Sequence, residues 1–584
     1  MNREWSLKEL YQGYDDPKFT ADVTRLDDCL NEFADFAAKL EGEPAEVLHR
    51  GIQLLLRMNE TADLLFSFAS LQQAANTSDA ESVAMIGKLQ QKMSAIAEPQ
   101  TLLVQYIAAI DDLDSVIRSD ALLQEHSFML HNIKENAKYT LSPEVEKAIS
   151  LYEISGSSAW SDLQGYLTSR VPVEFQGTTT TLSDIRNKAY SPKESVRREA
   201  YEAELKAYDR IKDGVAYSLN SIKLETLNRC QLRGYDSPLD EALKKANMKR
   251  ETLNALLSAM QEYLPKFWEY LRAKAKLLGH EGGLPWYDLF APLQGNDRKF
   301  TTEECRDYLV QLFSGFDQEE AEMIRRAFDD AWIDFYPRDG KVGGAFCASI
   351  HPLKVSRVLT NYGEGLGDVV TLAHELGHAF HNYCLADNSI LNIDVSMPVA
   401  ETASTFNEVV AADAIISAEQ DPVVRRALIE NQLMDAAQII CDIYSRYLFE
   451  TAVFENRENE FMFPDQLCDL MLDAQKKAYG DGLDPNCLHP YMWACKSHYY
   501  SGSLSYYNFP YAFGGLFARG LYAKYREEGK SFVPLYKKLL KATGTTTVEG
   551  AAMVAGIDLT DKEFWRASLQ LLADEIDEFI ALCK

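Results

Sequence analysis

The sequence predicts a mostly α-helical protein with a small β element set midway along the chain. Two observations carry this. Long Leu-, Ala- and Gln-rich stretches such as LLLRMNETADLLFSFASLQQAAN and SVAMIGKLQQKMSAIAEPQTLLVQYI place apolar residues at three- and four-residue spacing, with few Gly or Pro breaks. That is the period of an amphipathic helix. β-branched or Gly-flanked apolar runs, by contrast, are confined to short zones.

In chain order, the periodic pattern between about residues 26 and 150 predicts antiparallel helices packed on one another. RVPVEFQGTTTTLSDI, at 170–185, is β-branched and ends in a polar cap, which predicts a short hairpin. Ser191-Pro192 then opens a long helix running to about Cys230. LLGHEGGLPWYDLFAPLQGNDRKF, at 277–300, predicts an irregular passage from one lobe to the next. DGKVGGAFCASIHPLKVSRVLTNYGEGLGD, at 339–368, predicts two short strands with loops around Gly343-Gly344. After Asp368 the helical pattern resumes almost to the end. No internal repeat or low-complexity linker interrupts it.

Composition excludes several function classes. Hydrophobic residues make up 46% of the 584, far too many for a disordered chain. The charge sum, 59 Lys+Arg minus 88 Asp+Glu, is −29, which argues against a nucleic-acid partner. MNREWSLKELYQGYDDPKF has no apolar signal region, and no apolar run reaches about 18 residues. Ten scattered cysteines form no CxxC pair. The expectation is a cytoplasmic protein with reduced thiols and no membrane contact.

The densest chemistry is TLAHELGHAFHNY, residues 371–383. HELGH matches H-E-x-x-H. On a helix, His374 and His378 share a face and can offer two imidazoles to one zinc ion, while Glu375 can reach a water at the metal without ligating it. The alternative is a partly buried, hydrogen-bonded His pair. Catalytic zinc usually takes three protein ligands. A metzincin would need Gly three residues after the second His and His three further on; His381 and Cys384 stand there, which excludes that class. The other source is an acidic residue on a following helix. PVAETASTFNEVVAADAII reads as that helix, with Glu401 at its start and Glu408 two turns on, about 10.5 Å along the axis. Glu401 is assigned as third ligand and Glu408 as the partner that holds a ligand imidazole in its tautomer. Charge alone would favour reading both as solvated surface carboxylates, since acidic residues abound.

A second concentration is the tyrosine-rich WACKSHYYSGSLSYYNFPYAFGGLF, residues 493–517. Attack of water on a peptide carbonyl builds negative charge on its oxygen, and tyrosine hydroxyls or a His N–H are suitable donors to it. Such clusters also pack well in cores. KVGGAFCAS offers a different contact: an edge strand of small residues can accept an extended peptide, with Gly343, Gly344 and Ala345 as backbone contacts, or the glycines can simply allow a bend.

TLAHELGHAFH and PVAETASTFNE closely resemble the oligoendopeptidase F branch of the thimet oligopeptidase-like zinc peptidases. GGAFC at 343–347, NYGEGLGDVVTLAHE at 361–375 and RREAYEA at 197–203 look like this family too. The resemblance covers about residues 180–584, and the helices before it resemble the family's more variable first region. It implies a large two-lobed helical body around a deep cleft, with the β element beside the zinc-binding helices, an N-terminal helical region over 1–180 and a catalytic domain over 181–584. It implies one Zn²⁺ per chain on His374, His378 and Glu401, with Glu375 as general base. His498 matches the family's substrate-facing histidine. The tyrosine register is shifted by SGSLS and Pro510, which leaves Tyr507 and Tyr511 as donors and Tyr506 as a further substrate contact. The activity implied is zinc-dependent cleavage of internal bonds in short peptides. One alternative is a helical zinc carboxypeptidase, which would need a cationic clamp; near 493–515 only Lys496 and Arg519 stand. Another is a non-catalytic peptide-binding protein with a relic zinc site, which the intact Glu375 argues against. Oligomeric state is not legible.

Overall fold

A computed structural model describes residues 3–293 and 299–584. The chain is mostly α-helix with small sheets. Among the described residues, no helix is long and apolar enough to cross a membrane. The helix expected after Ser191-Pro192 runs Glu194–Arg233, 40 residues or about 60 Å. It stops at Gly234, whose φ of +83° closes a left-handed cap. The expected hairpin is also present. β1 (Val173–Phe175) pairs antiparallel with β2 (Thr178–Thr180) across Gln176-Gly177, both at positive φ, the two-residue turn whose twist matches paired strands. In the zone at 277–300, Leu284 forms a bridge with Leu483; residues 294–298 of that zone lie outside the described residues.

The midway β element has three strands where two are expected. β3 (Ile333–Asp334) is too short to show any period in sequence. β4 (Phe346–Ile350) and β5 (Val355–Leu359) form the expected antiparallel pair, and β3 adds parallel to β5, giving the order β3-β5-β4. Every residue of β5 is buried, while β4 is an edge. The N-terminal segment is fastened to this sheet: Arg357, fully buried, donates from Nε to the Ser6 carbonyl at 2.8 Å and pairs through Nη2 with Glu9 at 2.7 Å.

Two large apolar clusters form most of the core. The larger joins N-terminal residues such as Leu26 and Phe68 to the helices after 366 and to the C-terminal helix Lys562–Leu582. The other joins residues 171–222 to 449–500. Buried ion pairs tie distant segments together, notably Lys223 to Glu450 at 2.7 Å and Arg197 to Asp288 at 2.7 Å.

Candidate metal centre

Three helices build the site. The histidine helix, Leu366–Leu385, begins at Gly365, whose N–H donates to the Asp368 carboxylate at 2.8 Å. A short helix, Met397–Ala400, breaks at Glu401, and the carboxylate helix Thr402–Ala418 starts there. Phe509–Glu528 is the tyrosine helix.

Two glycines allow these helices to meet. A Cβ on Gly377, inside HELGH, would lie 2.5 Å from the Ala403 carbonyl oxygen and 2.6 Å from Ser404 Cα. The histidine and carboxylate helices therefore touch backbone to backbone one residue from His378. A Cβ on Gly514 would lie 3.3 Å from Glu401 Cβ, which brings the tyrosine helix against the same residue. Gly377→Ala is expected to cost about 1–3 kcal/mol of stability by forcing the first pair apart. Denaturant unfolding of the metal-free protein measures it.

The ligand atoms of His374, His378 and Glu401 all lie within 4.8 Å of one another. Glu401 Oε2 is 3.3 Å from His374 Nε2 and 3.2 Å from His378 Nε2, and it accepts from Ser404 Oγ at 2.8 Å. The opposite nitrogen of His374, Nδ1, is 3.2 Å from Glu408 Oε2. The two carboxylates thus address opposite edges of one imidazole, as two helical turns between them require. Two Nε2 atoms and one carboxylate oxygen converging on a point form a donor set that fits zinc. His381 does not join them; it is buried, bonded through Nε2 to Thr543 Oγ1 at 2.8 Å, and burial lowers its pKa to about 4.

Electrostatics follow from this packing. Burial opposes charge on His374, but hydrogen bonds to Glu401 and Glu408 outweigh it and raise its pKa to about 10 in the metal-free state. Burial alone would raise Glu401, yet the two imidazoles hold it well below the usual carboxylate range. Glu375 is 6% exposed; burial pushes its pKa up against the pull of His374 and His378.

His374 and Glu375 lie on the wall of a cavity of about 720 Å³ between the histidine helix, the carboxylate helix and the following helix Pro422–Ala437. Ala345 and Glu408 reach the same cavity. Of the two readings of Gly343–Ala345, edge strand or bend, the structure has the bend, which leads into β4: Gly344 sits at φ +79°, and Asn361 Nδ2 donates to the Val342 and Gly344 carbonyls at 3.0 and 2.8 Å.

His498, Tyr507 and Tyr511 form one aromatic cluster. The His498 ring meets Tyr507 edge-on at 4.8 Å and lies nearly parallel to Tyr511 at 6.0 Å; the two tyrosines are 5.4 Å apart. Burial, then the cations Arg446 and Lys496, lower the His498 pKa, so its imidazole is neutral near pH 7. Burial and a hydrogen bond with Tyr507 raise that of Tyr511. The turn that carries them is pinned from below, because Asn508 Nδ2 donates to Glu450 Oε2 at 2.9 Å while Lys223 holds the other oxygen. Tyr506 is different from its sequence expectation. It is 4% exposed, takes φ +54° and stacks on Phe454 at 5.7 Å, so its ring belongs to the core. Two further cavity residues, Asp435 and Arg519, belong to no motif of the sequence. Arg519 leaves a trace there, a lone charge in the apolar run AFGGLFARGLY; Asp435 leaves none.

Comparison with known proteins places these features in context. The family model "Peptidase family M3" matches residues 188–571, and "Oligopeptidase F" matches 109–171. Oligopeptidase PepF of Bacillus subtilis is 23% identical, covering 98% of this chain and 86% of its own; group B oligopeptidase PepB of Streptococcus agalactiae is 23% identical, covering 98% and 96%. Among solved structures, a Chlamydophila abortus protein provisionally described as a peptidase superposes with a TM-score of 0.88 at 20% identity, over 99% of this chain and 98% of its own. Oligoendopeptidase-F from Enterococcus faecium superposes with a TM-score of 0.70 at 19% identity, over 96% and 99%.

Proposed function

The chain belongs to peptidase family M3, and from that premise we propose that it is a zinc-dependent endopeptidase acting on internal bonds of short peptides. The observation that carries the reading is the convergence of His374, His378 and Glu401 with Glu375 buried beside them on the wall of one cavity. Residues 181–584 form the catalytic part in this reading, and 1–180 the helical region that completes the body.

His374 Nε2, His378 Nε2 and Glu401 Oε2 hold the ion. When bound, Zn²⁺ supplies positive charge that acidifies a water molecule and polarises a peptide carbonyl. Glu375 takes the water's proton during attack and passes it to the leaving amine. Its burial supports this role, since a raised pKa makes a carboxylate a better base near neutrality. Glu408 fixes His374 with Nδ1 protonated, so that Nε2 is free to ligate. The neutral His498 and the hydroxyls of Tyr507 and Tyr511 donate to the oxyanion or to the peptide backbone, and Ala345 borders the bound chain.

Peptides blocked at both ends and of increasing length test the activity. Internal cleavage with a sharp upper length limit is expected; requirement for a free C-terminus would instead indicate a carboxypeptidase. Glu408→Gln is expected to weaken zinc binding about 10- to 100-fold, measured by chelator competition. In the wild type the same measurement should show affinity falling as pH falls from 10, because zinc must displace the proton that the two carboxylates hold on His374. The metal-free fold has the opposite dependence. A pKa raised from 6.5 to about 10 contributes stability that is fully present below pH 6.5 and lost as pH rises through 10.

A further inference from the structure

We propose that Arg519 reads a carboxylate on the bound peptide: the open side of its guanidinium receives either the C-terminal carboxylate or an Asp or Glu side chain of the residue that fills the 720 Å³ cavity. This rests on the peptidase reading above and names a specificity residue for it.

Arg519 is 9% exposed and borders the same cavity as His374 and Glu375, where it is the one Lys or Arg on the wall among the described residues. Its Nη1 donates to the Gly515 carbonyl of its own helix at 3.2 Å. Among the described residues, that is the one hydrogen bond of its guanidinium, and neither Nε nor Nη2 is among the occluded polar atoms left without a partner, so both keep access to solvent. Buried arginines are normally paired with a carboxylate in direct contact. The other buried arginines here follow that rule: Arg197 pairs with Asp288, Arg357 with Glu9, and Arg229 with Glu241.

Arg519 acts on internal carboxylates only from a distance. Asp435 and Glu575 lie in its field, but neither makes contact, and burial pushes their carboxyls up to about 6 and about 7 despite it. At that separation Arg519 lowers both carboxyls without cancelling the effect of burial. The remaining wall carries Val370, Val409, Ile415, Ile416 and Leu428, which suit an aliphatic stem. Of the other charges, Glu408 is engaged by His374. The cavity beside the metal centre thus has a mixed wall, aliphatic residues together with Glu375, Glu408, Asp435, Asn431 and Gln432, and among the described residues Arg519 alone brings a planar guanidinium fork to it, which matches a carboxylate's two oxygens.

Two peptide pairs on one scaffold test the assignment: C-terminal acid against amide, and Glu against Gln at each position flanking the cleaved bond. The wild type is expected to favour one carboxylate member by about 10- to 100-fold in kcat/KM, expressed mainly in KM. Preference in the first pair assigns the C-terminus, and preference in the second assigns a side chain. Arg519→Met should bring that ratio to near one, and Arg519→Lys, which keeps charge but not the fork, should retain part of it. A merely structural arginine would lower thermal stability in both variants and leave the ratio unchanged, which overturns the proposal. Equal cleavage of both members of every pair by the wild type overturns it as well, with no variant required, and leaves the peptidase reading standing. Absence of all hydrolysis by the zinc-loaded wild type overturns both.

Discussion

Replacing Glu375 by Gln is expected to lower kcat on a short blocked peptide by about 10²- to 10⁴-fold while zinc stays bound. The amide has the carboxylate's shape and fits the same buried space, so helix packing and the ligand set are preserved. What is lost is the ability to take a proton from water and return it to the leaving amine. Metal content measured beside steady-state kinetics separates this outcome from loss of the ion. A fall of less than tenfold would place the proton transfer on another group, and the base assignment to Glu375 would be abandoned.

His378→Ala is expected to act through the other half of the machinery. It removes one of three converging donors and leaves Glu401 Oε2 with His374 and Ser404 only. Zinc affinity and activity should fall together, with kcat/KM down by about 10³-fold or more at limiting metal. Excess zinc should restore part of the activity of His378→Ala and none of that lost in Glu375→Gln. Titrating zinc into both variants checks the contrast. Equal rescue of the two, or full zinc occupancy in His378→Ala, would contradict the ligand assignment.

What sequence made legible here is what depends on local spacing. His374 and His378 are four apart on a helix, so their shared face follows from helical pitch, and Glu401 is marked by its place at the start of the next periodic run. The hairpin at 173–180 carries its own turn signal in Gln176-Gly177. What spacing could not supply are the contacts between elements. Gly377 reads as an interchangeable residue of H-E-x-x-H until the backbone of Ala403 is seen against it. The bend at 343–345 exists because Asn361, distant in sequence, ties its carbonyls. Tyr506 and Tyr507 are neighbours with opposite fates, since the positive φ at Tyr506 turns one ring into the core while the next joins His498. No composition or period distinguishes them. Asp435 and Arg519 come to the cavity from helices far apart in the chain.

The −29 net charge likewise says less than its size implies. The proposed chemistry rests on only a few of those carboxylates, whose surroundings differ: Glu401 pulled down by imidazoles, Glu375 pushed up by burial, Glu408 set against a ring nitrogen.

The central claim is that hydrolysis depends on one metal ion held by His374, His378 and Glu401. Its most direct test strips the protein with a chelator and titrates zinc back while cleavage of a doubly blocked short peptide is followed. Activity is predicted to vanish on stripping, to return in proportion to added zinc and to level off at one equivalent per chain. Undiminished cleavage by fully stripped protein would contradict the account.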